Sequence, residues 1–213
     1  MTKIKTVGII GAGQMGGGIA HVAATSGYDV LLYDVSADRI EKGLATINGN
    51  LARQVASGKL DDKVRKDALA HISPAHSMAD LAGADLVIEA ATENEEVKRK
   101  IFQELCPQLN PEAILATNTS SISITRLAAQ TDRAERFIGI HFMNPVPVMK
   151  LVELVRGIAT EDATFEAAKE FVHRLDKTVT LSEDFPAFIV NRILLEMVNE
   201  AIYTLYEGVG SVE

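Results

Sequence analysis

The chain has 213 residues, 47% of them hydrophobic and 23% charged, with a formal net charge of −8 and a single cysteine, Cys106. This is ordinary material for a globular protein of one or two domains with a sizeable core. The acidic balance without a basic block argues against nucleic acid or an anionic membrane as partner. One cysteine excludes an internal disulfide framework and argues against a cysteine-based metal site, so no metal is expected. The N-terminus leads directly into a short apolar run, not a signal peptide, and no stretch is apolar enough to span a bilayer, so the cytoplasm is the expected compartment.

Thr6–Ile10 reads as a fully apolar strand, followed by glycines and a helical pattern from Gly16 to Ser26. Asp29–Asp34 reads as a second strand, and Ser36 is a good N-cap for a helix running to Ser57. Lys59–Ala70 reads as a charged helix, Asp85–Ala91 as a buried strand, and Glu95–Cys106 as an amphipathic helix ended by Pro107. Ala113–Thr117 reads as a strand and Phe137–Phe142 as one more. Apolar strands alternating with helices predict an α/β chain with a mostly parallel, doubly wound sheet of the Rossmann type. Near Asp184 the pattern changes, and a long apolar helix is predicted from Phe188 to Gly208 with no strand to pair beside it. The expected division is a cofactor-binding domain over 1–184 and, over 185–213, the first helix of an all-α domain that is truncated at Glu213.

Gly11-Ala12-Gly13-Gln14-Met15-Gly16 matches G-x-G-x-x-G. The match alone is weak, but here it follows a strand and opens a helix, as a dinucleotide fingerprint requires. Gly11 suits the tight turn, Gly13 a close approach to pyrophosphate, and Gly16 the packing of helix on strand. The helix N-terminus offers free N–H groups to the phosphates. Asp34 lies about 20 residues further on, where a carboxylate accepts from ribose hydroxyls and repels a 2′-phosphate. NAD is therefore the expected cofactor, although the nearby Arg39 leaves NADP open.

His141 and Glu153 stand equally far from Pro147, in two strand-like runs that flank a loop with two prolines. If the runs pair antiparallel about Pro147, the two residues face each other on one side of the sheet. A neutral imidazole backed by a carboxylate suits the oxidation of an alcohol, because the hydroxyl proton must leave with the C–H hydride. The same spacing also suits a structural histidine at a strand end.

The glycine loop, Asn118-Thr119-Ser120-Ser121, the segment from His141 to Pro147 and Phe188-Ile189-Val190-Asn191-Arg192 occur in this order. Together they resemble the 3-hydroxyacyl-CoA dehydrogenase family, in particular its bacterial short-chain members, over essentially the whole chain. The resemblance implies NAD-dependent interconversion of (S)-3-hydroxyacyl-CoA, such as the 3-hydroxybutyryl ester, and 3-oxoacyl-CoA, as used in fatty-acid and butanoate metabolism. It makes His141 the catalytic base, Glu153 its partner acid, and Ser120 and Asn191 substrate-side groups. Gln14 and Met15 fall in the cofactor loop, and Glu93, Lys98 and Asn118 match positions around the nicotinamide half. Arg53 and Lys59 are the candidate CoA contacts, and a homodimer is implied where the helical domain is complete.

Plainer readings stand beside these. Asn118–Ser121 suits a helix cap, Glu93 and Lys98 suit a solvated helix face, and Arg53 and Lys59 suit a charged surface. Two other functions remain open: an NAD-dependent dehydrogenase of a free hydroxy acid on the same fold, and a non-catalytic NAD-binding fragment.

Overall fold

The computed structural model describes residues 3–212. Eight strands form one sheet in the order β3-β2-β1-β4-β5-β6-β7-β8. They are β1 Thr6–Ile10, β2 Asp29–Tyr33, β3 Ile72–Ala75, β4 Leu86–Glu89, β5 Ile114–Thr117, β6 Phe137–Phe142, β7 Leu151–Arg156 and β8 Thr178–Glu183. Every neighbouring pair is parallel except β6 and β7, which run antiparallel. The fold is of the Rossmann type. From β1 the chain winds outward through β2 to β3, returns to β4 on the other side of β1, and continues outward. The strand order therefore reverses between β1 and β4, where a doubly wound sheet opens its ligand crevice.

The central strands are apolar on both faces because helices cover both sides. One buried cluster joins Ile9, Leu32, Ile88 and Ile140 with Ile19, Ile47 and Phe171 from the helices, and a second joins Val87, Leu115 and Phe137 with Phe102, Leu105 and Leu127. The helices are α1 Gln14–Thr25, α2 Ala37–Ala56, α3 Asp62–Ala70, α4 Glu95–Leu105, α5 Ile124–Ala128, α6 Asp162–Arg174 and α7 Val190–Tyr206. Ser36, Asn94 and Ser123 accept N–H bonds at the starts of α2, α4 and α5. By contrast, α1 starts on Gly13 with no side-chain cap and no acid in its first turn, so its leading N–H groups have no capping side chain.

Three predicted elements differ. The last helix begins at Val190, not Phe188: Ala187 and Phe188 adopt left-handed φ values of 66° and 52°, and Phe188 turns inward to be buried. The helix after Lys59 starts only at Asp62. The cap that is the plainer reading of Asn118–Ser121 is not the one formed, because Ser123 caps α5. Along α7 no residue is buried, and Leu195, Met197, Ile202 and Leu205 are exposed. Among the described residues no helix is long and apolar enough to cross a membrane.

Candidate active site

The glycine loop joins β1 to α1 at the point of reversal. Gly11 has φ 104° and its N–H reaches Tyr33 O at 2.8 Å, which no residue with a side chain would do without strain. A Cβ on Gly16 would fall 1.8 Å from the Gly11 carbonyl oxygen, whereas one on Gly13 would meet nothing within 4 Å. The loop is thus closed against itself at Gly16 and open outward at Gly13, as a cradle for pyrophosphate requires. Asp34 Oδ2 accepts the Ala12 N–H at 2.8 Å, and Oδ1 accepts that of Val35 and lies 3.6 Å from Arg39. The carboxylate therefore also braces the loop. Asp34 and Arg39 border a partly open hollow with Val35, Met78 and Val97.

On the other side of the loop, Gly13, Gln14, Met15, Glu93, Lys98, Asn118 and Ser120 line one cleft. Lys98 is buried and paired with Glu89, which removes it from the solvated helix face that is the plainer reading of its sequence. Glu93 Oε1 accepts from Thr119 Oγ1, the N–H groups of Ser120 and Ser121, and Ser121 Oγ, at 2.7–3.0 Å. It fixes the 119–121 loop and with it Ser120. Asn118 Oδ1 accepts the Phe142 N–H at 2.9 Å, tying that loop to the strand that carries His141.

The β6–β7 hairpin sets His141 opposite Glu153, and their side chains meet with Nδ1 to Oε2 at 2.7 Å. Both residues are buried. Glu153 Oε1 accepts the N–H groups of Ile189 and Val190 at 2.9 Å each. Burial alone would raise the Glu153 carboxyl, but the bonds from His141 and from those two N–H groups outweigh it and hold the acid below its ordinary range. Phe188 packs edge-on against the His141 ring at 5.8 Å. One residue past Val190, Asn191 Nδ2 reaches Ser120 O at 3.4 Å. His141, Glu153, Asn191 and Ser120 are thereby connected through the start of α7.

Gln14 Nε2 donates to Asn144 Oδ1 at 3.0 Å, bridging the glycine loop to the 144–147 turn, whose Asn144–Pro145 bond is cis. Beneath that turn a groove of about 500 Å³ is lined by Asn50, Arg53, Gln54, Ser57, Lys59 and Pro147. It continues past Asn50 and Pro145 into a cleft of about 490 Å³ between α1 and α2. Arg53 and Lys59 thus share one opening with the proline turn.

The family model of the 3-hydroxyacyl-CoA dehydrogenase NAD-binding domain matches residues 6–185. The chain belongs to the 3-hydroxyacyl-CoA dehydrogenase family. It is an NAD-dependent oxidoreductase. A 3-hydroxybutyryl-CoA dehydrogenase of Bradyrhizobium diazoefficiens is 71% identical over 99% of the chain and 72% of its own length. A 3-hydroxyadipyl-CoA dehydrogenase of Escherichia coli is 43% identical over 100% of the chain and 45% of its own length. The solved (S)-3-hydroxybutyryl-CoA dehydrogenase of Ralstonia eutropha superposes with a TM-score of 0.95 at 48% identity, over 99% of this chain and 74% of that one.

Sequence reasoning gives no role to Glu89 and Thr117, and it reads Asp184 only as a boundary and Phe188 only as part of a motif, although all four shape the site. Glu89 carries a signal of its own, as an acid closing an otherwise apolar strand. Asp184 takes the Ser123 hydroxyl and the N–H groups of Ile124 and Thr125 at 2.7–2.8 Å, pinning the segment before α7 to α5.

Proposed function

We propose that the chain carries the cofactor and proton-transfer groups of an enzyme that interconverts (S)-3-hydroxyacyl-CoA, with 3-hydroxybutyryl-CoA as the preferred class, and 3-oxoacyl-CoA. The observation that carries this reading is the buried His141–Glu153 pair, whose strand is tied through the Phe142 N–H to Asn118 in the lining of the cleft. When His141 Nδ1–H donates to Glu153, Nε2 is left as an acceptor for the proton of the substrate's 3-hydroxyl. In the opposite direction the imidazolium returns it, with Glu153 stabilising its charge. Bound NAD supplies the hydride acceptor. Ser120, held by Glu93, and Asn191 orient the 3-oxygen. The open N-terminus of α1 and Gly13 receive the pyrophosphate, and Asp34 faces the adenosine ribose.

Arg53 and Lys59 offer charge to the phosphates of CoA where the groove runs under the proline turn. Residues 1–184 act as the cofactor domain and 185–213 as the start of a helical substrate and dimerisation domain, in a cytoplasmic homodimer. The high identity to a named 3-hydroxybutyryl-CoA dehydrogenase supports the short acyl chain.

The test is NADH oxidation by this chain with acetoacetyl-CoA, alongside His141→Gln. Turnover falling by ~10²–10⁴-fold in the variant, with NADH still bound, is expected. NADH binding without any wild-type turnover overturns the catalytic reading and leaves a cofactor-binding fragment. Turnover of free acetoacetate equal to that of the CoA ester overturns the substrate class.

A further inference from the structure

Glu89 closes β4 with a carboxylate that is 0% exposed and that the proton-transfer scheme does not use. Its Oε2 receives Lys98 Nζ at 2.5 Å and Thr117 Oγ1 at 2.7 Å, and its Oε1 receives the Ala91 N–H at 2.8 Å. The three donors come from α4, from the end of β5 and from the turn that forms one wall of the cleft. Both oxygens are thereby engaged inside the protein, so Glu89 does not itself meet a ligand.

Lys98 is 1% exposed but borders the cleft with Asn118 and Ser120. An ammonium has three N–H donors. One goes to Glu89. A second goes to Thr117 Oγ1 at 3.3 Å, whose own proton is committed to Glu89. Among the described residues no third acceptor is found, and the side chain adjoins the cleft. A lysine on a four-carbon stem has many rotamers to lose, and its charge needs a partner in this dry setting.

We propose that Glu89 is a positioning residue for the cofactor: it anchors the Lys98 ammonium so that the remaining N–H donates to a hydroxyl or carbonyl oxygen of the dinucleotide. This rests on the reading of the cleft as the cofactor's nicotinamide side. The alternative role for the ion pair is to hold α4 against the sheet, which would affect stability alone.

Fluorescence titration with NADH separates the two, using Glu89→Gln, Lys98→Met and the double variant. One charge-assisted bond corresponds to a roughly tenfold change in affinity. Lys98→Met is expected to weaken NADH binding about tenfold and Glu89→Gln by a similar factor, with the double variant no weaker than Lys98→Met alone. If Lys98→Met binds normally, the reading of the cleft fails. If Lys98→Met weakens binding but Glu89→Gln does not, or if the two losses multiply, the role of Glu89 fails and the cleft reading stands. Should Glu89→Gln not fold, Glu89→Asp serves: it is expected to weaken NADH binding in the wild-type background and to have no effect beside Lys98→Met. A purely structural carboxylate would instead lower the unfolding midpoint in both backgrounds and leave NADH affinity unchanged.

Discussion

Glu153 holds His141 with one oxygen and Val190 with the other: Oε2 sits 2.7 Å from His141 Nδ1 while Oε1 accepts the Val190 N–H at 2.9 Å. Val190 is the first residue of α7, so the acid behind the histidine is bonded to the N-terminus of that helix, where negative charge is favoured. The start of α7, with Asn191 one residue further on, is therefore bonded to the same carboxylate that holds the imidazole.

Glu153→Gln tests the orienting role. An amide can turn its NH₂ towards Nδ1, which presents the wrong tautomer to the substrate, and carboxylate-to-amide changes behind a catalytic histidine cost up to ~10⁴-fold. The expected result is kcat lowered by ~10²–10⁴-fold, with the NADH dissociation constant within about twofold of wild type, since Glu153 lies off the cofactor cleft. A kcat near wild type would remove Glu153 from the proton-transfer pair.

The glycine loop separates binding from folding. Gly13→Ala adds a Cβ into open space, where it obstructs only an arriving pyrophosphate, while Gly16→Ala drives a Cβ to 1.8 Å from Gly11 O. Gly13→Ala is expected to leave the urea midpoint within about 0.5 kcal/mol of wild type, as a change without folded-state conflicts does, and to weaken NADH tenfold or more by calorimetry. Gly16→Ala is expected to lower stability by about 2 kcal/mol or more, because packed backbone must shift. Undiminished NADH affinity in Gly13→Ala would move the pyrophosphate elsewhere.

These contrasts bear on what the residues alone disclose. The antiparallel register of His141 and Glu153 is legible because strand side chains repeat with period two about the proline turn, and the observed pairing of β6 with β7 falls where the symmetry about Pro147 puts it. The glycine loop is legible because its neighbours are a strand and a helix. β3, Ile72–Ala75, is not: four residues with a proline carry no strand pattern, and they are tolerated because β3 is the sheet edge. β8 is the opposite edge and only Ser182 along it is buried, so neither it nor α6, which precedes it, holds a chemical motif to draw the eye. Lys98 looks solvated among Glu95, Glu96, Arg99 and Lys100, and only the folded chain reveals a buried acid on another strand to receive it. Phe188 fits a helical pattern, but its left-handed φ is a tertiary choice that brings the ring onto His141.

Asp184 gives a prediction with a defined sign. Burial alone would raise its carboxyl, but the bonds from Thr125, Ser123 and Ile124 outweigh it and hold it below the ordinary range. A depressed native pKa stabilises above the unfolded value of about 4 and is lost as pH falls through the native value. Asp184→Asn is expected to cost about 2–3 kcal/mol at pH 7, the loss of several bonds to a charged acceptor. The deficit should shrink below about pH 4. A deficit equal at pH 7 and pH 3 in urea titrations would show that the charge is irrelevant.

His21 titrates in the opposite region. It is 2% exposed, its Nδ1 has no hydrogen-bond partner among the described residues, and Nε2 has only Gln54 Nε2 at 3.5 Å. Burial pushes its pKa below 6.5 against the opposing effect of Gln54, and the nearby Lys177 ammonium adds a smaller push in the same direction as burial. Lys177 in turn donates to Val146 O and Met149 O at 2.7 Å, so the pair lies under the proline turn. With the native pKa depressed, the unfolded chain binds the extra proton first. Stability therefore falls as pH drops through about 6.5, and the full cost is reached below the native value. The slope from this one group cannot exceed about 1.4 kcal/mol per pH unit. His21→Leu is expected to flatten the stability profile between pH 7.5 and pH 5.5 and to be more stable than wild type at the acid end, measured by urea midpoints at each pH. A profile as steep in the variant as in wild type would assign that pH dependence to other groups and clear His21 of it.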